Sequence, residues 1–387
     1  MKTATHFDVI VVGVGSMGAA TCYYLAKKGK RVLGLEQFEI PHEHGSHAGQ
    51  SRIIRKAYFE HPDYVPLLEK AYRNWAELER VAETTLFHRT GLFYAGVPQS
   101  PLLEGTRTSA AQYGIEIEEM GHHNARFPQF VIPPTYDMLF EPDAGFVLPE
   151  RTILTLAQLA LQQGAVLLTK QKTLSWELRE KYIEVRAAAA TFTCDSLVVT
   201  AGAWAGELLP HVHHKLKVTR QVVAWFQPHN WQQFALGAFP CWLIAPPDLP
   251  GAFYGFPVLP VQQFGGPIGL KIAYHYPGQP ANANAVDRGN TETEARQLAE
   301  AVAQYLPGGG EQMLSIKTCL YTNTPDEHFV IDFLPNTDHR VVVAAGFSGH
   351  GFKFVPGLGE TLADMAIEKT TTDPVGFLSL QRFAQGS

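Results

Sequence analysis

The sequence predicts an α/β protein of two lobes. One lobe is built on a doubly wound, mostly parallel sheet. The other is built on an antiparallel sheet inserted into it, so the overall layout is α+β. Three observations carry this reading. Residues 7–36 run through strand, glycine turn, helix and strand without a break. Residues 196–204 and 340–353 repeat a strand followed by a glycine turn, which returns the chain to the first sheet. Between them, residues 216–271 alternate apolar and polar side chains as antiparallel strands do.

The first segment specifies a dinucleotide site. Phe7-Asp8-Val9-Ile10-Val11-Val12 is a β-branched run of the kind buried on both faces of a parallel sheet. It enters Gly13-Val14-Gly15-Ser16-Met17-Gly18, which fits G-x-G-x-x-G. Gly13 permits the tight turn, Gly15 lets the backbone approach a pyrophosphate, and Gly18 lets helix and strand pack closely. Ser16 and Met17 open a helix whose N-terminus faces that negative charge. Ala19, Ala20, Cys22, Tyr23, Leu25 and Ala26 give it an apolar face, closed by Lys27-Lys28-Gly29. A second strand follows over 31–35, and Glu36 at its carboxyl end is placed to accept hydrogen bonds from a ribose. A glycine motif by itself is a weak signal; strand, glycines, helix, strand and acid in register form a strong one.

Further along, the polar stretch from Pro41 to Ser51 has the composition of a loop facing ligand at the carboxyl edge of a parallel sheet. It leads into Arg52-Ile53-Ile54-Arg55. Leu67, Leu68, Ala71, Tyr72, Trp75 and Leu78 predict an amphipathic helix over 64–79. Short strands are expected at 86–88 and 91–96, a helix near 105–113, and a turn-rich link over 140–146. Residues 153–163 read as helix and 165–169 as a buried strand. A hairpin is expected from 182–186 and 190–194, then a separate strand at 196–199. Strands at 218–226, 253–257 and 268–275 suit an antiparallel sheet roofing a pocket. A helix over 292–305 stops at Pro307; strands at 329–332 and 340–345 and a helix over 357–367 close the chain. The glycine turn after Ala345 is expected to make a second contact with the dinucleotide. The expected boundaries are 1–85, 145–215 and 320–387 for the cofactor lobe, and 86–144 and 216–319 for the second.

Composition narrows the class. Of 387 residues, 45% are apolar and 18% charged, enough for a large core and against disorder. Net charge is −6, which gives no reason to expect nucleic-acid binding. The 16 histidines are scattered without metal-ligand spacing, and His211-Val212-His213-His214 reads as an exposed turn after Pro210. Cys22, Cys194, Cys241 and Cys319 form no C-x-x-C pair, which suits a reducing compartment without a disulfide framework. The first strand begins within a few residues of the start, leaving no room for a signal peptide, and no apolar run reaches about 18 residues. The expectation is a cytoplasmic protein with no metal and no membrane partner.

Several segments together resemble the monomeric sarcosine oxidase family of amine-oxidising flavoproteins, within the D-amino-acid-oxidase-like superfamily. They are Gly13 to Gly18 with Glu36, Gly45-Ser46-His47 through Arg55, Tyr254-Gly255-Phe256-Pro257, and Lys271 with His275. To these add Cys319-Leu320-Tyr321-Thr322-Asn323-Thr324-Pro325-Asp326-Glu327 and Gly346-Phe347-Ser348-Gly349-His350-Gly351-Phe352-Lys353. The resemblance spans nearly the whole chain. It implies FAD, joined by a thioether from a cysteine to the flavin 8α-methyl carbon. It also implies an FAD lobe of the glutathione-reductase (Rossmann) type under a substrate lobe.

Residue by residue, the resemblance makes Cys319 the flavinylated cysteine, the other three being small buried hydrophobes. Lys271 matches the lysine near flavin N5 where dioxygen is reduced, a place where a fixed cation stabilises developing negative charge. Arg55 and Lys353 match the pair that clamps the substrate carboxylate, arginine by its planar fork and lysine as a point charge. Tyr321 and His275 match pocket residues that contact the bound amino acid. Ser46, Arg52, Gly349, Gly351 and Lys353 fall in segments that contact the cofactor. Two departures bear on the substrate: the chain has His47-Ala48 where close bacterial sarcosine oxidases have a His-His pair, and Phe253-Tyr254 where they have two tyrosines. Gln50 to Tyr58 and Tyr321 to Glu327 look closer to the sarcosine/pipecolate branch. The implied activity is a monomeric oxidase of secondary amino acids, sarcosine first, consuming dioxygen and releasing peroxide. L-pipecolate or N-methyltryptophan is the nearest alternative; a flavin dehydrogenase using a carrier and a non-catalytic flavin protein are the others.

Overall fold

The apolar runs condense into two large sheets. In the computed structural model, which describes residues 5–121, 125–210, 212–276, 278–289 and 291–383, Thr5–Val12 is the centre of the first. It pairs in parallel with Val32–Leu35 on one side and with Thr191–Val199 on the other. Val166–Leu168 and Val341–Ala345 extend the parallel sheet outward, and Val330–Phe333 adds to it antiparallel. Thr173–Leu178 and Ile183–Ala187 branch from the first half of Thr191–Val199 as an antiparallel meander. Ser16–Lys27 is covered by Pro149–Gln162 and Val355–Glu368. It is buried from Met17 through Ala26, and its sequence is accordingly apolar nearly all round.

Register decides where this sheet opens. Val12 sits opposite both Leu35 and Val199. Gly13, Glu36 and Thr200 therefore leave the sheet side by side at its carboxyl edge, the position at which α/β sheets bind ligands.

The second sheet orders Lys217–Gln227, Leu270–His275, Ala252–Phe256 and Cys241–Ala245 as antiparallel neighbours. Leu92–Gly96 continues it in parallel and Asp137–Glu141 antiparallel. Gln312–Asn323 pairs with Lys217–Gln227 along its full length. Fully buried Phe93, Phe226 and Trp242 lie in the core on this sheet. A small third sheet joins Arg52–Ile54, Gly145–Val147 and Phe87–Arg89. No helix among the described residues is long and apolar enough to cross a membrane.

Several expectations are corrected, while the helix over 292–305 and the exposed turn at His213 and His214 are borne out. The link over 140–146 is the turn between two strands, Asp137–Glu141 and Gly145–Val147. The strand expected to be buried at 165–169 is an edge strand, with Val166 41% exposed. The hairpin arm and the separate strand at 196–199 are one strand, Thr191–Val199, which changes partner halfway along one side from Ile183–Ala187 to Val341–Ala345. A boundary at 320 cuts the continuous strand Gln312–Asn323. The helix over 292–305 is Glu292–Tyr305, opened by a capping box of Thr291 and Glu294. His213 and His214 are exposed in a short helical turn, and His211 lies outside the described residues. All four cysteines are buried and unpaired.

Candidate active site

At the carboxyl edge of the parallel sheet lies a cavity of about 1230 Å³. Its walls include Gly13, Gly15, Ser16, Met17, Glu36, Ser46, Arg52, Gly349 and Gly351. The glycine loop behaves as its motif requires. Gly13 has φ +86°, and a Cβ there would stand 2.7 Å from the Thr200 carbonyl oxygen. At Gly18 it would stand 1.8 Å from the Gly13 carbonyl oxygen, so Gly18 packs beneath the loop and is absent from the wall. Gly15, by contrast, has open space before it, with His47 Nδ1 the nearest atom at 3.8 Å. The Thr200 hydroxyl donates to the Gly13 carbonyl at 2.7 Å and pins the turn.

Glu36 is buried, and its carboxylate accepts from the Val14 amide at 2.8 Å and the Phe38 amide at 3.0 Å. Burial pushes its carboxyl above the ordinary value, and those amides pull part of the way back. The acid thus joins the glycine loop to the end of the second strand. Three buried side-chain atoms of this wall have no protein partner: His47 Nε2, Thr173 Oγ1 and Thr322 Oγ1. A buried polar atom without a partner is uncommon. Three on one wall, with an open glycine loop and an acid at the strand end, fit a long polar dinucleotide such as FAD.

A second cavity, of about 490 Å³, shares Arg52, Tyr321, Gly349 and Phe352 with the first. It brings together Arg55, Lys353, His275 and Tyr321, four side chains from separate parts of the chain. Ile53, Phe59, Leu243 and Tyr254 supply its other walls. Arg55 is buried between the rings of Tyr58 and Phe59, each centred 4.3 Å from its guanidinium carbon. Its NH2 group donates to both oxygens of Glu60, at 2.6 and 2.8 Å. Burial pushes the Glu60 carboxyl up, yet Arg55, His350 and Lys353 outweigh it and hold it at about 2. Of the two cations expected here, Arg55 is therefore paired with a carboxylate, whose field also reaches Lys353.

Lys353 donates to the His350 carbonyl at 2.6 Å. Burial and the neighbouring Arg55 push its ammonium down to about 7, against the pull of Glu60. His275 Nδ1 lies 3.3 Å from the Tyr321 hydroxyl, and burial holds this imidazole at about 4, neutral at physiological pH. His350 is locked in place: Nδ1 faces the Tyr58 hydroxyl at 2.5 Å and Nε2 the Glu327 carbonyl at 3.0 Å. A Cβ on Gly349 would collide with the Tyr321 ring, so that ring lies directly on the glycine turn after the last parallel strand.

Lys271 and Cys319 stand behind these walls. Lys271 is 1% exposed and donates to the Gly49 carbonyl (2.5 Å), the Ser51 carbonyl (2.7 Å) and the Ser51 hydroxyl (3.1 Å). Burial and Arg52 push its ammonium well down, while three oxygen acceptors match its three N–H donors. Cys319 is buried two residues before Tyr321 on the same strand, hence on the same face of the sheet. Burial pushes its thiol up, opposed by Arg52, Lys271 and Arg288. The other three cysteines are raised to about 12.

Sequence patterns did not single out Glu60, which pairs with Arg55, Thr200, which pins the glycine turn, or Thr173, which lines the larger cavity. For Glu60 a signal exists in the acid five residues after Arg55, set among Ala57, Tyr58 and Phe59.

Comparison with known proteins places this geometry. The FAD dependent oxidoreductase (DAO) family model matches residues 8–365. Monomeric sarcosine oxidase of Arthrobacter sp. (strain TE1826) is 36% identical, covering 99% of this chain and 98% of that protein. N-methyl-L-tryptophan oxidase of Yersinia pestis (strain Pestoides F) is 34% identical, covering 97% and 99%. Among solved structures, the open form of NikD, an unusual amino acid oxidase essential for nikkomycin biosynthesis, shares the fold. Its TM-score is 0.85 at 24% identity, with 97% of each chain covered. With the family model spanning most of its length and curated relatives aligned end to end, the chain belongs to the DAO family of FAD dependent oxidoreductases.

Proposed function

We propose that the protein is an oxidase of secondary, N-methyl amino acids with sarcosine as its first substrate. The observation that carries this reading is the buried cluster of Arg55 and Lys353 in the cavity adjoining the FAD site. Two cations there suit a carboxylate, and the aromatic and aliphatic walls leave the amine end in an apolar space. FAD held in the larger cavity by Gly13, Gly15, Glu36 and Gly349 would supply two-electron redox chemistry between an amine and dioxygen.

The protein's own residues bind and orient. Arg55 and Lys353 hold the carboxylate, and Tyr321, with His275 at 3.3 Å, forms a further part of the wall. His275 and His350, held neutral by burial, leave Arg55 and Lys353 as the groups that draw the substrate anion. Lys271 places positive charge where dioxygen gains electrons, supported by its position beneath the loop that carries Arg52. Cys319 is the proposed point of thioether attachment to the flavin 8α carbon, supported by its face of the strand and the cations around it. The parallel sheet forms the cofactor lobe and the second, mostly antiparallel sheet the substrate lobe. The protein acts as a cytoplasmic monomer and releases glycine, formaldehyde and hydrogen peroxide from sarcosine.

The apolar walls Ile53, Phe59, Leu243 and Phe352 favour a second reading, the same chemistry on a cyclic amino acid such as L-pipecolate. Steady-state peroxide formation with sarcosine, N-methyl amino acids, L-proline and L-pipecolate tests both. A parallel assay with an artificial electron acceptor separates an oxidase from a dehydrogenase. Peroxide from none of these substrates would overturn the proposal.

A further inference from the structure

One buried ring in the larger cavity has no protein partner for half of its hydrogen-bonding capacity. His47 is 5% exposed and lines that cavity. The ring stands edge-on to that of His42, with centroids 4.9 Å apart, and faces the His42 backbone, while Nε2 is buried without a hydrogen-bond partner. An imidazole that donates through Nδ1 to a carbonyl keeps Nε2 as a bare acceptor. Burial, with Arg52 nearby, holds this ring at about 4, so it is neutral and offers a lone pair rather than a charge. What is missing is a hydrogen-bond donor.

Position selects the donor. His47 Nδ1 lies 3.8 Å from where a side chain on Gly15 would begin, beside the loop that receives the pyrophosphate. Arg52, its other neighbour, belongs to both cavities. In FAD the part that joins the pyrophosphate to the ring system is the ribityl chain, and its hydroxyls are donors. Phosphate oxygens only accept and cannot satisfy a bare nitrogen. We propose that His47 is a cofactor-binding residue whose Nε2 accepts a hydrogen bond from a ribityl hydroxyl of FAD. The inference rests on the FAD site and not on the cysteinyl link.

The test uses the Cys319→Ser protein, in which flavin can be exchanged whether or not the native link is covalent. Quenching of flavin fluorescence gives dissociation constants for FAD and for an FAD analogue with a deoxyribityl chain. His47→Phe should weaken FAD about five- to a hundredfold, the effect of leaving one buried hydroxyl unpaired. The analogue should bind His47 and His47→Phe proteins alike, and His47→Gln, which keeps an acceptor oxygen, should recover part of the FAD affinity. Equal losses for both ligands, or no loss for FAD, would overturn the proposal. A measurement on the intact ring guards against misfolding of the variants. In ¹⁵N-histidine spectra, the His47 Nε2 resonance, assigned by its absence in His47→Gln, should move between FAD-free and FAD-loaded protein. A resonance that stays in place would overturn the proposal. Failure of every protein to bind FAD would overturn the cofactor site, and this inference with it.

Discussion

Replacing Glu60 with glutamine reads the charge arrangement of the smaller cavity directly. The carboxylate lies 2.6 and 2.8 Å from the NH2 group of Arg55, and both side chains are largely shielded from water. At about 4 Å between charge centres and an effective dielectric near 20, such a pair attracts by ~4 kcal/mol. Removing one partner of a buried pair costs ~3–5 kcal/mol. Glutamine can still accept from Arg55, and the Tyr58 and Phe59 rings still cover the guanidinium. We therefore expect Glu60→Gln to lower the unfolding free energy at pH 7 by about 3 kcal/mol, the bottom of that range.

The effect has a pH signature. The Glu60 carboxyl is held at about 2, below its reference value of 4.5. Its stabilisation is complete above pH 4.5 and is lost as the pH falls from there toward 2, so wild type and variant should converge across that window. Ligand binding should respond in the opposite sense. Freed from Glu60, Arg55 can pair with a small carboxylate such as acetate or glycolate, which should bind on the order of tenfold tighter, or about 1.4 kcal/mol. Urea unfolding followed by tryptophan fluorescence, with flavin absorbance titrations of the carboxylate, measures both. An unfolding free energy within about 0.5 kcal/mol of wild type, together with unchanged carboxylate affinity, would refute a coupled pair in the binding cavity.

Three further outcomes are expected. Wild-type protein should stay yellow after acid precipitation and Cys319→Ser should release its flavin; complete release from wild type would refute the thioether. Lys271→Met should slow reoxidation by dioxygen on the order of 10²- to 10³-fold while sparing reduction by substrate, and stopped-flow measurements showing unchanged reoxidation would remove Lys271 from that role. Lys353, held at about 7, pairs with a carboxylate only when protonated, so carboxylate affinity should be level below pH 7 and fall as the pH rises through it. Calorimetry in buffers of different ionisation enthalpy should show proton uptake on binding above pH 7, and Lys353→Met should abolish it; no uptake in wild type would mean the lysine does not titrate there.

Much of the parallel sheet was legible because its strands announce themselves. Val9 to Val12 and Val341 to Val343 are β-branched runs ending in glycine turns, and period and punctuation agree. Cys241–Ala245 was not legible: Cys241-Trp242-Leu243-Ile244-Ala245 is apolar throughout, without the alternation that marks an antiparallel strand. It is buried on both faces because neighbouring strands flank it and core lies on either side. Val166–Leu168 misled in the other direction, since apolar residues at a sheet edge look like those at its centre. In the site, motif-borne residues could be named in advance. Thr173 could not, because its importance lies in being buried without a partner, and Glu60 showed only as an acid close after Arg55, its pairing being invisible in a sequence.

The order in which the parallel sheet is assembled has a consequence for biosynthesis. Its central strand Thr5–Val12 is made before its neighbour Thr191–Val199, and Val341–Ala345 after both. The wall of the larger cavity needs Gly13 from the first segment and Gly346 through Phe352 from the last. A chain emerging from the ribosome therefore carries the glycine loop long before it has the turn that faces it. These contacts span nearly the whole sequence, the kind that closes slowly. The larger cavity is therefore complete only once residues 346–352 have been made, however early the glycine loop has emerged.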